Sequence, residues 1–242
     1  MSIKHPIISV TGSSGAGTST VKHTFQQIFR RESVKAATLE GDAFHRYNRV
    51  EMKKELEKRN TNGGATFSHF SFEANLLQEL EECFRNYSEK GKCRYRHYVH
   101  NAKEEELYGA KPGNFTEWQQ FDDSSDLLFY EGLHGAVVSE NLNIARYADL
   151  KIGVVPVINL EWIQKIHRDR DSRGYSTEAV TDTILRRMHA YVHCICPQFT
   201  ETDINFQRVP VVDTSNPLVA RWIPTADESL VVIRFKDPHG ID

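Results

Sequence analysis

The sequence predicts an α/β fold with a mostly parallel (mixed) sheet that has helices on both faces. Short apolar, β-branched runs alternate with amphipathic stretches, and each run ends in glycine or polar residues. The predicted strands cover residues 6–10, 35–40, 127–131, 149–157, 206–212 and 230–235, and residues 93–100 alternate like an edge strand. Ligands of such sheets bind beyond the carboxyl ends of the strands, so we expect the functional residues there.

Helical periodicity occupies most of the segments between these runs. The predicted helices cover residues 20–31, 48–59, 72–90, 159–172 and 177–193. The helix at 72–90 is expected to bury an apolar stripe of Leu76, Leu77, Leu80 and Phe84. Gly174 separates the last two helices, because glycine commonly ends a helix.

Composition limits the classes of function that are open to the chain. The net charge of the 242 residues is −3, which gives no overall attraction to nucleic acid or to an anionic membrane. No apolar run reaches the roughly 18–20 residues that span a bilayer, and the N-terminus lacks a secretory-signal pattern. The sequence therefore predicts a cytoplasmic protein, with no nucleic-acid or membrane partner, that binds anions through local clusters of Lys and Arg.

A glycine-rich loop follows the first predicted strand and leads into the first helix. It contains Gly12, Ser13, Ser14, Gly15, Ala16, Gly17, Thr18 and Ser19. Its glycines allow backbone N–H groups to converge on phosphate oxygens, and the helix N-terminus favours anions. The loop therefore predicts ATP binding, with the Ser19 hydroxyl on Mg²⁺. Thr18 replaces the lysine of the usual motif, and a structural glycine-serine turn remains the alternative.

Two acidic residues lie at the ends of predicted strands. Glu131 is a candidate Mg²⁺ ligand, and the alternative is a capped strand end. Asp42 is a candidate general base for a substrate hydroxyl. His45 and Arg49 follow Asp42 at i+3 and i+7, so we expect all three on one helix face. Such a face suits a phosphorylated, polyhydroxylated substrate, and the alternative for Asp42 is a helix N-cap.

Basic residues concentrate in the two helices that Gly174 separates. Lys165, Arg168, Asp169 and Ser172 have the spacing of one helix face, Arg173 precedes Gly174, and Arg186 and Arg187 lie on the second helix. This pattern predicts a lid around residues 159–193 that closes on phosphates and supplies the cation missing at Thr18. A solvated face of salt bridges is the alternative. Residues 1–242 are thus predicted to form one P-loop kinase-like domain.

The sequence resembles the phosphoribulokinases, specifically the bacterial class of carbon-fixing proteobacteria. The matching stretches are residues 10–19, 40–46, 130–135, 159–169 and 205–210, which spread over nearly the whole chain. A threonine in place of the P-loop lysine is usual in this class. The resemblance implies transfer of the ATP γ-phosphate, with Mg²⁺, to the 1-hydroxyl of ribulose 5-phosphate. The product is ribulose 1,5-bisphosphate of the Calvin cycle.

The resemblance also implies a role for individual residues. It makes Asp42 the catalytic base, Glu131 the Walker B acid and Asp169 an active-site acid. It assigns the sugar-phosphate contacts to His45, Arg49 and Arg173, the phosphoryl-group cations to Lys165 and Arg168, and conserved basic positions near the lid to Arg186 and Arg187. Spacing alone does not distinguish Asp42 from Asp169 as the base.

Assembly and regulation are further implications of the resemblance. Bacterial members form large homo-oligomers that NADH activates and AMP inhibits, and Arg31 and Arg234 are candidate effector contacts. The loop contains no cysteine, so we expect no thioredoxin control. Bacterial relatives usually continue past the equivalent of Asp242. A uridine-kinase-like nucleoside kinase and a non-catalytic nucleotide-binding regulator remain the alternatives.

Overall fold

A six-stranded mixed sheet forms the centre of the chain. A computed structural model describes residues 4–61, 67–121 and 124–239, apart from the side chains of residues 60, 61, 172 and 173. The strands of this sheet are β1 (Ile7–Gly12), β2 (Ala36–Glu40), β5 (Leu127–Gly132), β6 (Leu150–Val154), β7 (Ile204–Pro210) and β8 (Ser229–Phe235). Their order is β2-β5-β1-β6-β7-β8, and only the β7–β8 pair is antiparallel. The predicted fold class is therefore confirmed.

Helices pack on both faces of this sheet. The α-helices of the described residues are α1 (Thr18–Arg31), α2 (Arg49–Thr61), α3 (Leu77–Lys90), α4 (Ala102–Tyr108), α5 (Ile158–Arg173) and α6 (Thr177–Ala190), of which α1 and α3 pack directly on the strands. On one face Phe84 of α3 lies edge-on to Tyr130 of β5, with 5.3 Å between ring centroids. On the other, Phe29 of α1 packs on Phe129 at 5.5 Å. Neighbouring residues of β5 thus point to opposite faces of the sheet. Burial of each of these apolar side chains stabilises the folded state by about 1.5–3 kcal/mol.

Most predicted elements are shifted by a few residues at their ends, and two differ more strongly from the structure. The helix expected at 72–90 is a 3₁₀ turn at Phe72–Ala74 followed by α3, with Leu76 as N-cap. The break arises because Asn75 is extended and forms a β-bridge with His45. Only β3 (Arg94–Tyr95) of the predicted edge strand is regular, and it pairs with β4 (Gln119–Gln120). Helix α4 was not predicted.

The predicted lid region is a pair of packed helices. Trp162 and Ile166 of α5 contact Val180 and Ile184 of α6. Gly174, with φ of +70°, ends α5 in the left-handed conformation that favours glycine. Closure of the pair over a ligand stays a prediction. In the described part of the chain, every helix is too short or too polar to cross a membrane.

Candidate active site

The glycine-rich loop lies between the end of β1 and the start of α1. The backbone φ angles of Gly15 and Gly17 are +114° and +98°, values that residues with a side chain rarely adopt. A methyl group on Gly15 would also lie 3.1 Å from the Lys165 Cβ, so the loop packs closely on α5. No side chain caps α1, and its first turn carries no acidic residue. Its N-terminal N–H groups are therefore suited to binding an anion.

Two cations of α5 lie against this loop. Arg168 donates from Nη2 to the Ser14 Oγ at 3.0 Å. Lys165 pairs with Asp169, and the Arg168 Nε contacts the other Asp169 oxygen at 2.9 Å. Burial raises the pKa of Asp169, but the two cations outweigh it, so the net pKa is lowered. Burial, with repulsion from Arg187, lowers the pKa of Lys165 to about 8.

Helix α6 contributes a third cation near the loop. The Arg187 guanidinium lies 5.2 Å from the centroid of the Phe70 ring, and both residues line a small cleft with Ser14 and Lys165. Arg186 instead points to Asp182 on its own helix, at 3.9 Å. The side chains of Ser172 and Arg173 lie outside the described residues. The structure thus brings Lys165, Arg168 and Arg187 close to the loop, and their action on a phosphoryl group stays a prediction.

Asp42 lies in a 3₁₀ turn, Gly41–Phe44, beyond the end of β2. Its Oδ1 is 3.1 Å from the His45 Nε2, and its Oδ2 is 3.2 Å from the His100 Nε2. Desolvation in the site raises the pKa of Asp42, but attraction to His45 and hydrogen bonds from both histidines outweigh it. The net pKa is well below its usual range, so the carboxylate is ionised at neutral pH.

The expectation that Asp42, His45 and Arg49 share one helix face is wrong. Asp42 lies in the 3₁₀ turn, His45 has extended backbone angles, and α2 begins only at Arg49. The three residues nevertheless meet through the fold. The Arg49 Nη2 donates to the His100 carbonyl at 3.1 Å, and the His100 ring contacts Asp42.

Two residues of this group were missed in the sequence. His100 contacts Asp42, and the Tyr98 hydroxyl is hydrogen-bonded to Arg49. Both lie in the stretch Tyr95-Arg96-His97-Tyr98-Val99-His100, where polar aromatic side chains alternate. That alternation was interpreted as an edge strand, although residues two apart in extended chain point to the same side. This spacing could have indicated from the sequence that Tyr98 and His100 face the same site.

Glu131 lies near the end of β5, beside the loop. Strand β2 pairs with β5 so that Glu40 lies opposite Glu131. Glu40 also forms a salt bridge with Lys22 of α1. Burial raises the pKa of Glu131, and a hydrogen bond from Thr18 only partly offsets this. A divalent cation would stabilise such a carboxylate, and oxygen ligands are those that Mg²⁺ prefers. The Glu131 carboxylate is therefore suited to be an Mg²⁺ ligand, and the hydroxyl that contacts it is that of Thr18, while a role for Ser19 stays a prediction.

Comparison with known proteins shows which family the chain belongs to. The model of the Phosphoribulokinase / Uridine kinase family matches residues 7–215. The chain belongs to this family. Phosphoribulokinase 1 of Cereibacter sphaeroides is 74% identical over 242 residues, which cover 100% of this chain and 83% of the relative. The phosphoribulokinase of Nitrobacter vulgaris is 69% identical over 239 residues, or 99% and 82% of the two chains.

Solved structures extend the comparison to the fold. A phosphoribulokinase from Rhodobacter spheroides, 72% identical, superposes with a TM-score of 0.88 over 99% of this chain and 82% of that one. D-glycerate 3-kinase from Cryptococcus neoformans is 12% identical and reaches 0.54 over 90% and 89%. The second likeness shows the fold alone. As a member of the phosphoribulokinase / uridine kinase family, the chain is a phosphotransferase with a P-loop kinase-like fold.

Proposed function

We propose that the chain transfers the γ-phosphate of ATP to the 1-hydroxyl of ribulose 5-phosphate, a step of the Calvin cycle. Curated relatives named phosphoribulokinase are 58–74% identical over the whole chain. The observation that carries the proposal is the group around Asp42. It places an ionised carboxylate beside two histidines and Arg49, a set that suits a hydroxylated phosphate ester.

In the proposed mechanism, Asp42 accepts the proton of the 1-hydroxyl. The hydroxyl oxygen forms a bond to the γ-phosphorus, the bridging P–O bond breaks, and ADP leaves with that electron pair. Phosphoryl transfer depends mainly on positioning and charge stabilisation. A weak base held in place by His45 and His100 therefore suffices, and Arg49 and Arg173 bind the substrate phosphate.

The phosphate side of the site stabilises the transferred group. The loop Gly12–Ser19 binds the ATP phosphates through backbone N–H groups, while Lys165 and Arg168 stabilise negative charge that develops in transfer. Ser19 and Glu131 would hold Mg²⁺, which would neutralise phosphate charge. Arg186 and Arg187 are proposed to complete the basic surface of the lid.

Contacts favour Asp42 over Asp169 as the base. Asp169 forms ion pairs with Lys165 and Arg168, so its oxygens serve to orient these two cations. Asp42 contacts imidazoles, and its side chain is 36% exposed, so a substrate hydroxyl can approach it. We propose that Asp169 positions the cations and that Asp42 takes the proton.

A coupled ADP-release assay with ribulose 5-phosphate, uridine and pantothenate tests the substrate. We expect turnover with ribulose 5-phosphate, since the Arg49 side of the site suits a phosphate that nucleosides lack. Turnover with uridine alone would establish the nucleoside-kinase alternative. ATP binding without turnover of any of the three would establish the non-catalytic regulator.

Location, assembly and regulation are further parts of the proposed function. We propose a cytoplasmic homo-oligomer in which NADH activates, AMP inhibits, and Arg31 and Arg234 bind effectors. Support for self-association comes from β8, whose residues 230–233 are 47–62% exposed at the sheet edge, and strand edges of this kind pair readily.

Light scattering of the wild-type chain and of Val232→Lys tests assembly, and cell fractionation tests location. Kinetics with NADH and AMP on Arg31→Ala and Arg234→Ala test regulation.

A further inference from the structure

A buried amide lies directly behind the residues around Asp42. The Asn75 side chain donates from Nδ2 to the carbonyls of His69, at 2.9 Å, and Ser71, at 2.8 Å. Carbonyl oxygens only accept hydrogen bonds, so a flipped amide would set its own oxygen against both of them. The contacts therefore fix the orientation of the amide and direct Oδ1 towards His45.

The orientation of this amide determines where His45 carries a proton. The Asn75 Oδ1 lies 2.8 Å from the His45 Nδ1 and is itself only an acceptor. The His45 Nδ1 must therefore carry hydrogen. The other ring nitrogen, Nε2, faces the Asp42 Oδ1 at 3.1 Å. A neutral His45 ring would then turn a lone pair towards a carboxylate oxygen, which is unfavourable.

We propose that Asn75 is a positioning residue that fixes the Nδ1–H form of His45 and so keeps one proton between the His45 Nε2 and the Asp42 Oδ1. This inference rests on the proposed role of Asp42 as the base. The proton holds the carboxylate ionised in one rotamer and adds positive charge beside the sugar-phosphate site. The second oxygen, Oδ2, faces His100, whose side chain is 33% exposed against 8% for His45. Oδ2 is therefore the oxygen that receives the substrate proton.

The surroundings of His45 come from several elements. The ionisable groups near it, among the described residues, are Asp42, His69, Arg96, Tyr98, His100 and His134, with Arg187 close to His69. Burial lowers the pKa of His69 well below its usual range and that of His134 to about 3, so both stay neutral. Apart from Asp42, these groups are neutral or cationic. The acceptor that faces Nδ1 is the Asn75 oxygen.

The first test observes the proton directly. In protein labelled with ¹⁵N-histidine, His45 is assigned by the signal lost in His45→Gln, and its two ring nitrogens are followed as the pH rises. We expect Nδ1 to carry hydrogen whatever the state of Nε2, because it faces the Asn75 oxygen. A neutral ring with its hydrogen on Nε2 would overturn the proposal. This measurement needs no substrate, so it is independent of the proposed function.

The second test uses kcat/KM against pH with ribulose 5-phosphate. In Asn75→Leu the His45 Nδ1 no longer faces an acceptor, so the ring can place a single hydrogen on Nε2, and the attraction to His45 that lowers the pKa of Asp42 is weakened. We expect the acid limb to move up by about one to two pH units, the effect of one hydrogen bond to a charged group. Asn75→Asp keeps an acceptor oxygen, and its limb should stay at or below the wild-type position.

Asn205→Leu is the matched control. Its amide donates to the Phe199 carbonyl at 3.1 Å and accepts from Thr202 at 2.8 Å, on β7 and away from Asp42. It should leave both limbs in place. A lower rate in Asn75→Leu with an unmoved acid limb would mean that Asn75 is only structural and would contradict the proposal. If Asn75→Leu does not fold, a shift upward of the Asn75→Asp limb would contradict it equally.

Discussion

The two sides of the active site are assembled in different ways. On the phosphate side, one continuous stretch, Gly12–Ser19, supplies the loop and the helix N-terminus, and α5 adds Arg168 at 3.0 Å from Ser14. On the substrate side, Asp42 meets His100, and Asn75 lies behind His45. These residues come from separate segments that the fold brings together. A local motif thus encodes phosphate binding, while tertiary structure assembles the proton acceptor.

The largest expected effect is on the substrate side. Asp42→Asn removes the proposed base, so kcat should fall by roughly 10²–10⁴, while ATP affinity, which the other side determines, stays unchanged. Steady-state kinetics and ATP titration measure the two quantities. Asp203→Asn is the control, because that carboxylate pairs with Lys151 on the other side of the sheet's centre and should leave kcat unchanged. Equal kcat in wild type and Asp42→Asn would contradict the proposed role.

The sequence located the loop of the phosphate side between its strand and its helix, but it located only part of the substrate side. The loop, its strand and its helix are neighbours in the chain, so pattern alone located them. The contact of Asp42 with His100 joins residues 58 positions apart, and no local periodicity reports such a contact. The helix-face argument also treated residues 42–49 as one α-helix, whereas Gly41–Phe44 is a 3₁₀ turn and the bridge between His45 and Asn75 makes the chain extended at His45.

The next largest effect is expected on the phosphate side. Lys165→Met removes a charge that is proposed to act mainly on the transferred group, so kcat should fall by roughly 10²–10³ and ATP affinity much less. Lys151→Met is the matched control, because it makes the same substitution on β6, where Lys151 pairs with Asp203. It should leave turnover and ATP affinity unchanged. Equal losses of turnover and affinity would instead identify Lys165 as a ground-state contact. In that case Lys165 would not supply the catalytic charge of the loop lysine that Thr18 replaces.

The loop itself can be tested through its glycines. Gly15→Ala and Gly17→Ala each place a side chain at positive φ, and each should lower the free energy of unfolding by about 1–2 kcal/mol. Gly15→Ala should cost more, because its methyl group would also lie 3.1 Å from the Lys165 Cβ, whereas Gly17 has open space around it. Denaturant unfolding measures both. An equal loss in both variants would argue against close packing of the loop on α5.

The smallest expected effect is a displacement of pH limbs. The lowered pKa of Asp42 keeps the base ionised, so the acid limb of kcat/KM should lie below the usual range of aspartate. Because the pKa of Asp42 is depressed in the folded state, the stability that Asp42 contributes is present above its unfolded-state pKa. It is lost as the pH falls through the folded-state pKa.

Lys165, with a pKa of about 8, should produce the alkaline limb of kcat/KM. Lys165→Arg should remove that limb, and an unchanged limb would assign it to another group.

The central claim is that the substrate side removes a proton from a sugar-phosphate hydroxyl while the phosphate side binds ATP. Single-turnover transfer from γ-labelled ATP to ribulose 5-phosphate, in wild type and Asp42→Asn with both substrates saturating, tests it most directly. We predict labelled ribulose 1,5-bisphosphate from the wild type, and transfer slower by roughly 10²–10⁴ in the variant, with ATP binding unchanged. Equal transfer rates, or label that reaches uridine and not ribulose 5-phosphate, would contradict it.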